Sequence, residues 1–131
     1  PAMDRKAENI DFQNPDSVVR GLIISMNHFE NMAHLKSSGE KALALLSDVY
    51  ARFCTKKERP YGRRGSYQWP PEYDPGEEDL IETKIVTPRR AEVVTRNEKS
   101  KTEDLYLLQK HGGVWHVDSK KYRLIGWKWD V

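Results

Sequence analysis

Residues 105–123 read LYLLQKHGGVWHVDSKKYR. Apolar and polar residues alternate on both sides of Gly112-Gly113, the pattern of two half-buried strands joined by a two-residue turn. Two glycines supply the positive φ angles that a hairpin turn of matching twist needs. The alternation predicts strands over residues 104–110 and 114–123. With that turn, His116 falls opposite Gln109 and Asp118 opposite Leu107. Upstream, residues 80–87 and 91–95 are also rich in β-formers. Pro88 ends the first of these or marks an edge, and a polar turn follows at residues 97–101. A last run, residues 124–129, reads as a continuation of the final strand after a bend at Gly126.

The first half has a different period. Asn14-Pro15-Asp16 is a helix start, with Asn14 in position to cap, Pro15 at the first helical position and Asp16 at the positive end of the dipole. Val18, Val19, Leu22, Ile23, Met26, Phe29 and Ala33 then form one apolar stripe, predicting a helix over residues 15–36. Gly21 interrupts it at a cost of about 1 kcal/mol against Ala and allows a close crossing with another element. Ser37-Ser38-Gly39-Glu40 fits a capping box. The stripe of Ala42, Leu43, Leu45, Leu46, Val49, Tyr50 and Phe53 predicts a second helix over residues 37–57, antiparallel to the first. Leu22, Phe29, Leu46, Val49 and Phe53 are the expected core. Helices first and antiparallel strands afterwards give an α+β fold, with a helical hairpin packed on one face of a curved sheet.

The chain has 131 residues. One domain over residues 3–131 is the expectation, since two halves of this size would each be marginal. Pro1-Ala2 ahead of Met3 reads as a cloning remnant. No stretch approaches the apolar length of a membrane span, and no secretory signal is visible. The single Cys54 excludes an internal disulfide and zinc ribbons, and fits a reducing, cytoplasmic setting. The net charge of +2 does not by itself imply nucleic acid.

Charge blocks say more than the total. Residues 56–64, KKERPYGRR, carry five bases and one acid, and residues 72–82, EYDPGEEDLIE, carry six acids and no base. Between and around them lies a Pro-, Gly- and Tyr-rich stretch, residues 58–76, longer than an ordinary loop and therefore a candidate functional segment. The bases interleave with Tyr61, Tyr67 and Trp69 in a way that suits single-stranded nucleic acid, but the acids that follow would repel the same backbone. Nucleophilic and phosphate-binding motifs are absent, as are metal-ligand spacings, so no cofactor or metal is expected. His116 and Asp118, two apart on one strand, share a face and form the candidate acid–base pair of an enzyme alternative.

The helix–helix–loop–meander order and the run Gly112-Gly113-Val114-Trp115-His116-Val117-Asp118-Ser119 resemble the nuclear-transport-factor-2-like superfamily. Together with 81-IETKIVTPRRAEVVTRN-97, they look like its immunity-protein branch, which is associated with bacterial polymorphic toxins including the Rhs type. The resemblance implies a cone-shaped fold and a cytoplasmic protein that binds and blocks a cognate toxin without catalysis. The alternatives are a small isomerase, cyclase or hydrolase using Asp118 and His116 inside the cone, and an oligomerisation module. For the binding reading, the expected face is Tyr67, Trp69, Glu72, Tyr73, Asp74, Glu77, Glu78, Asp79 and Glu82. These offer rigid aromatic area and a negative field to a toxin with a basic cleft. The free protein is then a monomer or a homodimer.

Overall fold

The computed structural model describes residues 10–35, 39–57 and 72–129. Two helices, α1 (Pro15–His34) and α2 (Gly39–Phe53), precede four strands, β1 (Glu78–Thr87), β2 (Arg90–Asn97), β3 (Thr102–His111) and β4 (Val114–Leu124). The strands form one antiparallel meander in the order β1-β2-β3-β4. The architecture is the expected α+β arrangement of a helical hairpin and an open sheet. The capping box at Ser37 and the aromatic positions Tyr61, Tyr67 and Trp69 lie outside the described residues.

Pro15 opens α1 and Asp16 sits in its first turn, as the sequence predicts. Asn14 occupies the cap position, but its side chain makes no cap bond. It donates instead to Asp11 Oδ2 at 2.6 Å. The helix stops at His34, and Leu35 is already extended. Gly21 is required by contact. A Cβ there would lie 2.7 Å from both Ile10 Cδ1 and Phe53 Cε1, far inside van der Waals distance, so the glycine lets α2 and the N-terminal segment close onto α1.

The inner face of the sheet follows the period of two. Ala91, Val93, Tyr106, Leu108, Trp115 and Val117 meet Val18, Val19, Leu22, Ile23, Met26 and Phe29 of α1 and Ala42, Val49 and Phe53 of α2 in one core. Cys54 is buried in the same core. Four of the five expected core residues are there, and Leu46 is the exception. Leu46, Leu45 and Tyr50 are only half-buried, and Leu43 is exposed. The described contacts of α2 run along the narrow row of Ala42, Val49 and Phe53, so residues beside that row flank the core and do not enter it.

Gly112 and Gly113 have φ of +58° and +83°, as a two-residue turn of this hand demands. His116 pairs with Gln109, as read from the sequence. Asp118 does not face Leu107. Leu108 pairs with Val117 and Leu107 with Ser119, so a bulge sets Asp118 between those two pairs. β1 begins two residues before the predicted strand, taking Glu78 and Asp79 into the sheet. β4 ends at Leu124, and Gly126, at φ +89°, lies in a turn, so of the run 124–129 only Leu124 belongs to the strand.

The two sheet edges differ. On β4, Thr55 N–H donates to the Val117 carbonyl at 2.9 Å and Trp115 N–H donates to the Phe12 carbonyl at 2.8 Å. The chain leaving α2 and the segment entering α1 thus cover that edge. β1 forms the other edge, and most of its side chains are exposed.

Candidate partner-binding site

The acidic stretch is fastened to α1 before it enters the sheet. Glu30 lies in the apolar stripe of α1, one turn after Met26, and is buried. Its two carboxylate oxygens accept the backbone N–H groups of Glu72 and Tyr73, each at 2.9 Å. Asn27 Nδ2 donates to the Tyr73 carbonyl at 2.7 Å. A turn follows, in which the Asp74 carboxylate accepts from Gly76 N–H at 2.9 Å and the Asp74 carbonyl accepts from Glu77 and Glu78. A segment that sequence reads as loop is therefore held at fixed orientation.

That geometry sorts the acids. Glu72, Glu77, Asp79 and Glu82 are exposed and Asp74 is half-buried. Glu78 is only 4% exposed and points inward, where it adds nothing to the outward field. Tyr73 is half-buried, and its hydroxyl turns to Lys120 Nζ at 3.1 Å, with the ammonium 4.3 Å from the ring centroid. Tyr67 and Trp69 lie outside the described residues. The structure thus leaves four outward carboxylates of the expected face and turns Tyr73 and Glu78 toward the interior.

The inward groups make a polar cluster at one end of the core. Glu78 accepts from Asp74 N–H at 3.1 Å and from the Thr95 hydroxyl at 3.4 Å. Burial, reinforced by the charge of Asp104, pushes its carboxyl up to about 8, against the pull of the Asp74 N–H, Lys120 and Thr95. Burial also raises Asp104, with Glu72 adding to it and Lys120 opposing. Burial alone would lower the Lys120 ammonium, but Tyr73, Asp104 and Glu72 outweigh it and hold that group above its ordinary value. Burial raises Tyr73 to about 12.

Tyr106 is fully buried, and among the described residues its hydroxyl has no hydrogen-bond partner. Tyr106→Phe is therefore expected to be neutral or to stabilise by about 1 kcal/mol, because no bond is lost and an unsatisfied group is removed. Urea unfolding of the two proteins checks this, and a clear destabilisation would show that the hydroxyl is satisfied after all.

Asp118 and His116 are engaged in different places. Asp118 Oδ1 accepts from the Thr55 hydroxyl at 2.8 Å, and Oδ2 accepts from Lys57 Nζ at 3.1 Å. Both oxygens thus tie the end of α2 to the bulge in β4. The His116 ring lies 6.2 Å from the Phe12 ring, and burial, with the nearby His111, lowers its pKa. Among the described residues no three His, Cys, Asp or Glu side chains are grouped so as to hold a metal.

The other face of the sheet carries a second charged device. Glu103 lies between Arg96 and Arg123 on the flanking strands, with N–O distances of 2.6 Å to each. Burial alone would raise its carboxyl, but the two guanidiniums outweigh that and hold it below its usual range. Arg123 also donates to the Trp127 carbonyl and stacks 4.0 Å from the Trp129 ring, which fixes the chain after β4.

A helical hairpin on a four-stranded antiparallel meander agrees with what comparison with known proteins gives. Residues 14–130 match the family described as NTF2 fold immunity protein. The chain belongs to that family. The immunity protein RhsIA of Dickeya dadantii (strain 3937) is 29% identical over 123 residues, covering 85% of this chain and 88% of that protein. No solved structure matches the chain.

The buried cluster was missed by reading charge along the chain. Its signals were present in the periodicity. Asp104 shares a strand face with Tyr106 and Leu108, and Glu30 falls on the core side of α1. Polar residues at core positions mark a network that the fold must satisfy internally.

Proposed function

We propose that this chain neutralises a cognate bacterial toxin of the Rhs type by binding it in the cytoplasm, without catalysis. Family membership supports the immunity role. The observation that carries the binding reading is the acidic segment itself. Glu72, Glu77, Asp79 and Glu82 are exposed on a backbone clamped by Glu30, Asn27 and Asp74. A preorganised run of one sign steers a basic partner and spends little ordering entropy when it docks. A toxin with a basic active-site cleft fits such a surface. Tyr67 and Trp69, just upstream, supply aromatic anchors in this reading. No helix among the described residues is long and apolar enough to cross a membrane.

The test is co-expression with the product of the adjacent upstream gene, followed by binding kinetics with the purified pair. The parent chain is expected to restore growth. Glu77→Lys combined with Asp79→Lys is expected to slow association by about tenfold at low salt and to flatten its salt dependence. Both side chains are exposed, so thermal stability is expected to hold. Failure of the parent chain to protect would sink the immunity reading for that pair. Full protection by the double variant with unchanged association would move the face elsewhere, first to the exposed Trp127 and neighbouring Trp129.

A further inference from the structure

β1 is an edge with unusual content. Its ten residues include three exposed β-branched apolar side chains, Ile81 at 43%, Ile85 at 56% and Val86 at 46% exposure. Among the described residues no strand pairs with its outer side, whereas the β4 edge is covered by Thr55 and Phe12. Natural proteins blunt or cover such edges, because unpaired N–H and C=O groups beside apolar side chains recruit another strand.

The order of charge along this edge identifies what it recruits. Glu77, Asp79 and Glu82 lie toward one end, and Lys84, Arg89 and Arg90 toward the other, all of them exposed. The edge is therefore complementary to itself when reversed. We propose that two copies of this chain associate by antiparallel pairing of their β1 edges, about a twofold axis at Thr83, giving one continuous eight-stranded sheet. In that register Glu82 faces Lys84 of the second copy, with Ile81 and Ile85 flanking the pair. Each contact occurs twice, as a twofold requires. Moving the axis by one residue sets Glu82 against Glu82 or Lys84 against Lys84, so cross-strand charge selects the register. The irregularities of β1 between Leu80 and Glu82 and between Ile85 and Thr87 confine regular pairing about this axis to residues 82–84. The pair is accordingly small and concentration-dependent.

This dimer goes beyond the toxin reading and does not rest on it. The two uses share acids, so they exclude each other on one edge, and the test is run on the purified chain without toxin. Sedimentation velocity over a wide concentration range is expected to show a reversible monomer–dimer equilibrium. Glu82→Lys and Lys84→Glu are each expected to weaken it by about tenfold or more, since each places like charges opposite one another twice. The double variant Glu82→Lys/Lys84→Glu is expected to return to within a few-fold of the parent. Circular dichroism of all four proteins checks that the fold is kept, and the restored double variant separates lost pairing from lost folding. A parent that stays monomeric throughout overturns the proposal. So does a dimer indifferent to both single changes, or a double variant as weak as either single one.

Discussion

Phe53→Ala is expected to cost about 3–5 kcal/mol, the range for removing a large aromatic from a packed core. Phe53 is the last residue of α2 and is 1% exposed. Its ring stacks on Phe12 with centroids 5.8 Å apart and planes at 20°, while the Arg52 guanidinium lies 5.0 Å from its centroid. The same ring lies against Gly21, where a Cβ would come within 2.7 Å of Cε1. It therefore holds α2, α1 and the N-terminal segment together, and its removal leaves a void that none of the three can fill alone. Urea unfolding with an unchanged m-value measures the loss, and a loss under about 0.5 kcal/mol would remove Phe53 from the core. Gly21→Ala is expected to cost less in the Phe53→Ala background than in the parent, because one of its two clashes has gone.

Much of this architecture is local enough to be written in the sequence. Gly112-Gly113 sets the β3–β4 turn through two positive φ angles, and the stripe from Val18 to Phe29 sets α1, each without reference to distant residues. The differences arise where a distant residue decides. The bulge at Asp118 cannot be seen in the alternation, because Val117 and Ser119 suit either register. It is settled by Thr55 and Lys57, which reach Asp118 from the end of α2. Glu78 and Asp79 have poor strand propensity, yet Glu78 enters the sheet because Thr95 and the Asp74 N–H satisfy it. Leu46 lies in a periodic apolar stripe, but periodicity does not tell how wide a strip of helix the partner elements cover.

The candidate site was legible to the same extent. A run of acids is visible in any sequence, and four of them do reach the surface. Which ones turn inward depends on Glu30, forty-two residues before Glu72, and on Lys120, forty-seven after Tyr73. A one-dimensional charge count has no access to such contacts. The distinction matters for function, because reversing Glu78 would report on folding whereas reversing Glu77 or Asp79 reports on the surface.

The buried Glu78 gives the second large effect, and its sign runs opposite to that of an ordinary ion-paired carboxylate. Its pKa rises from 4.5 to about 8 on folding. Between those values the native state binds more protons than the unfolded state, so stability falls as pH rises through that window. Asp104, raised in the same sense, adds to the fall. His116 acts the other way, because its lowered pKa makes the native state gain stability as pH rises toward the ordinary histidine value, with no further gain above it. Comparing the parent with Glu78→Gln cancels the His116 contribution and reports the Glu78 carboxyl together with its interaction with Asp104. The amide keeps one oxygen to accept from Asp74 N–H, its NH2 can donate to the Thr95 hydroxyl, which accepts as well as donates, and it carries no charge to bury. Glu78→Gln is therefore expected to match the parent near pH 5 and to be more stable by about 2–4 kcal/mol at pH 8, with a flatter profile between. Urea unfolding at several pH values reads this directly. Parallel profiles for the two proteins across the window would mean that Glu78 is already ionised in the folded chain and that Lys120 compensates its charge.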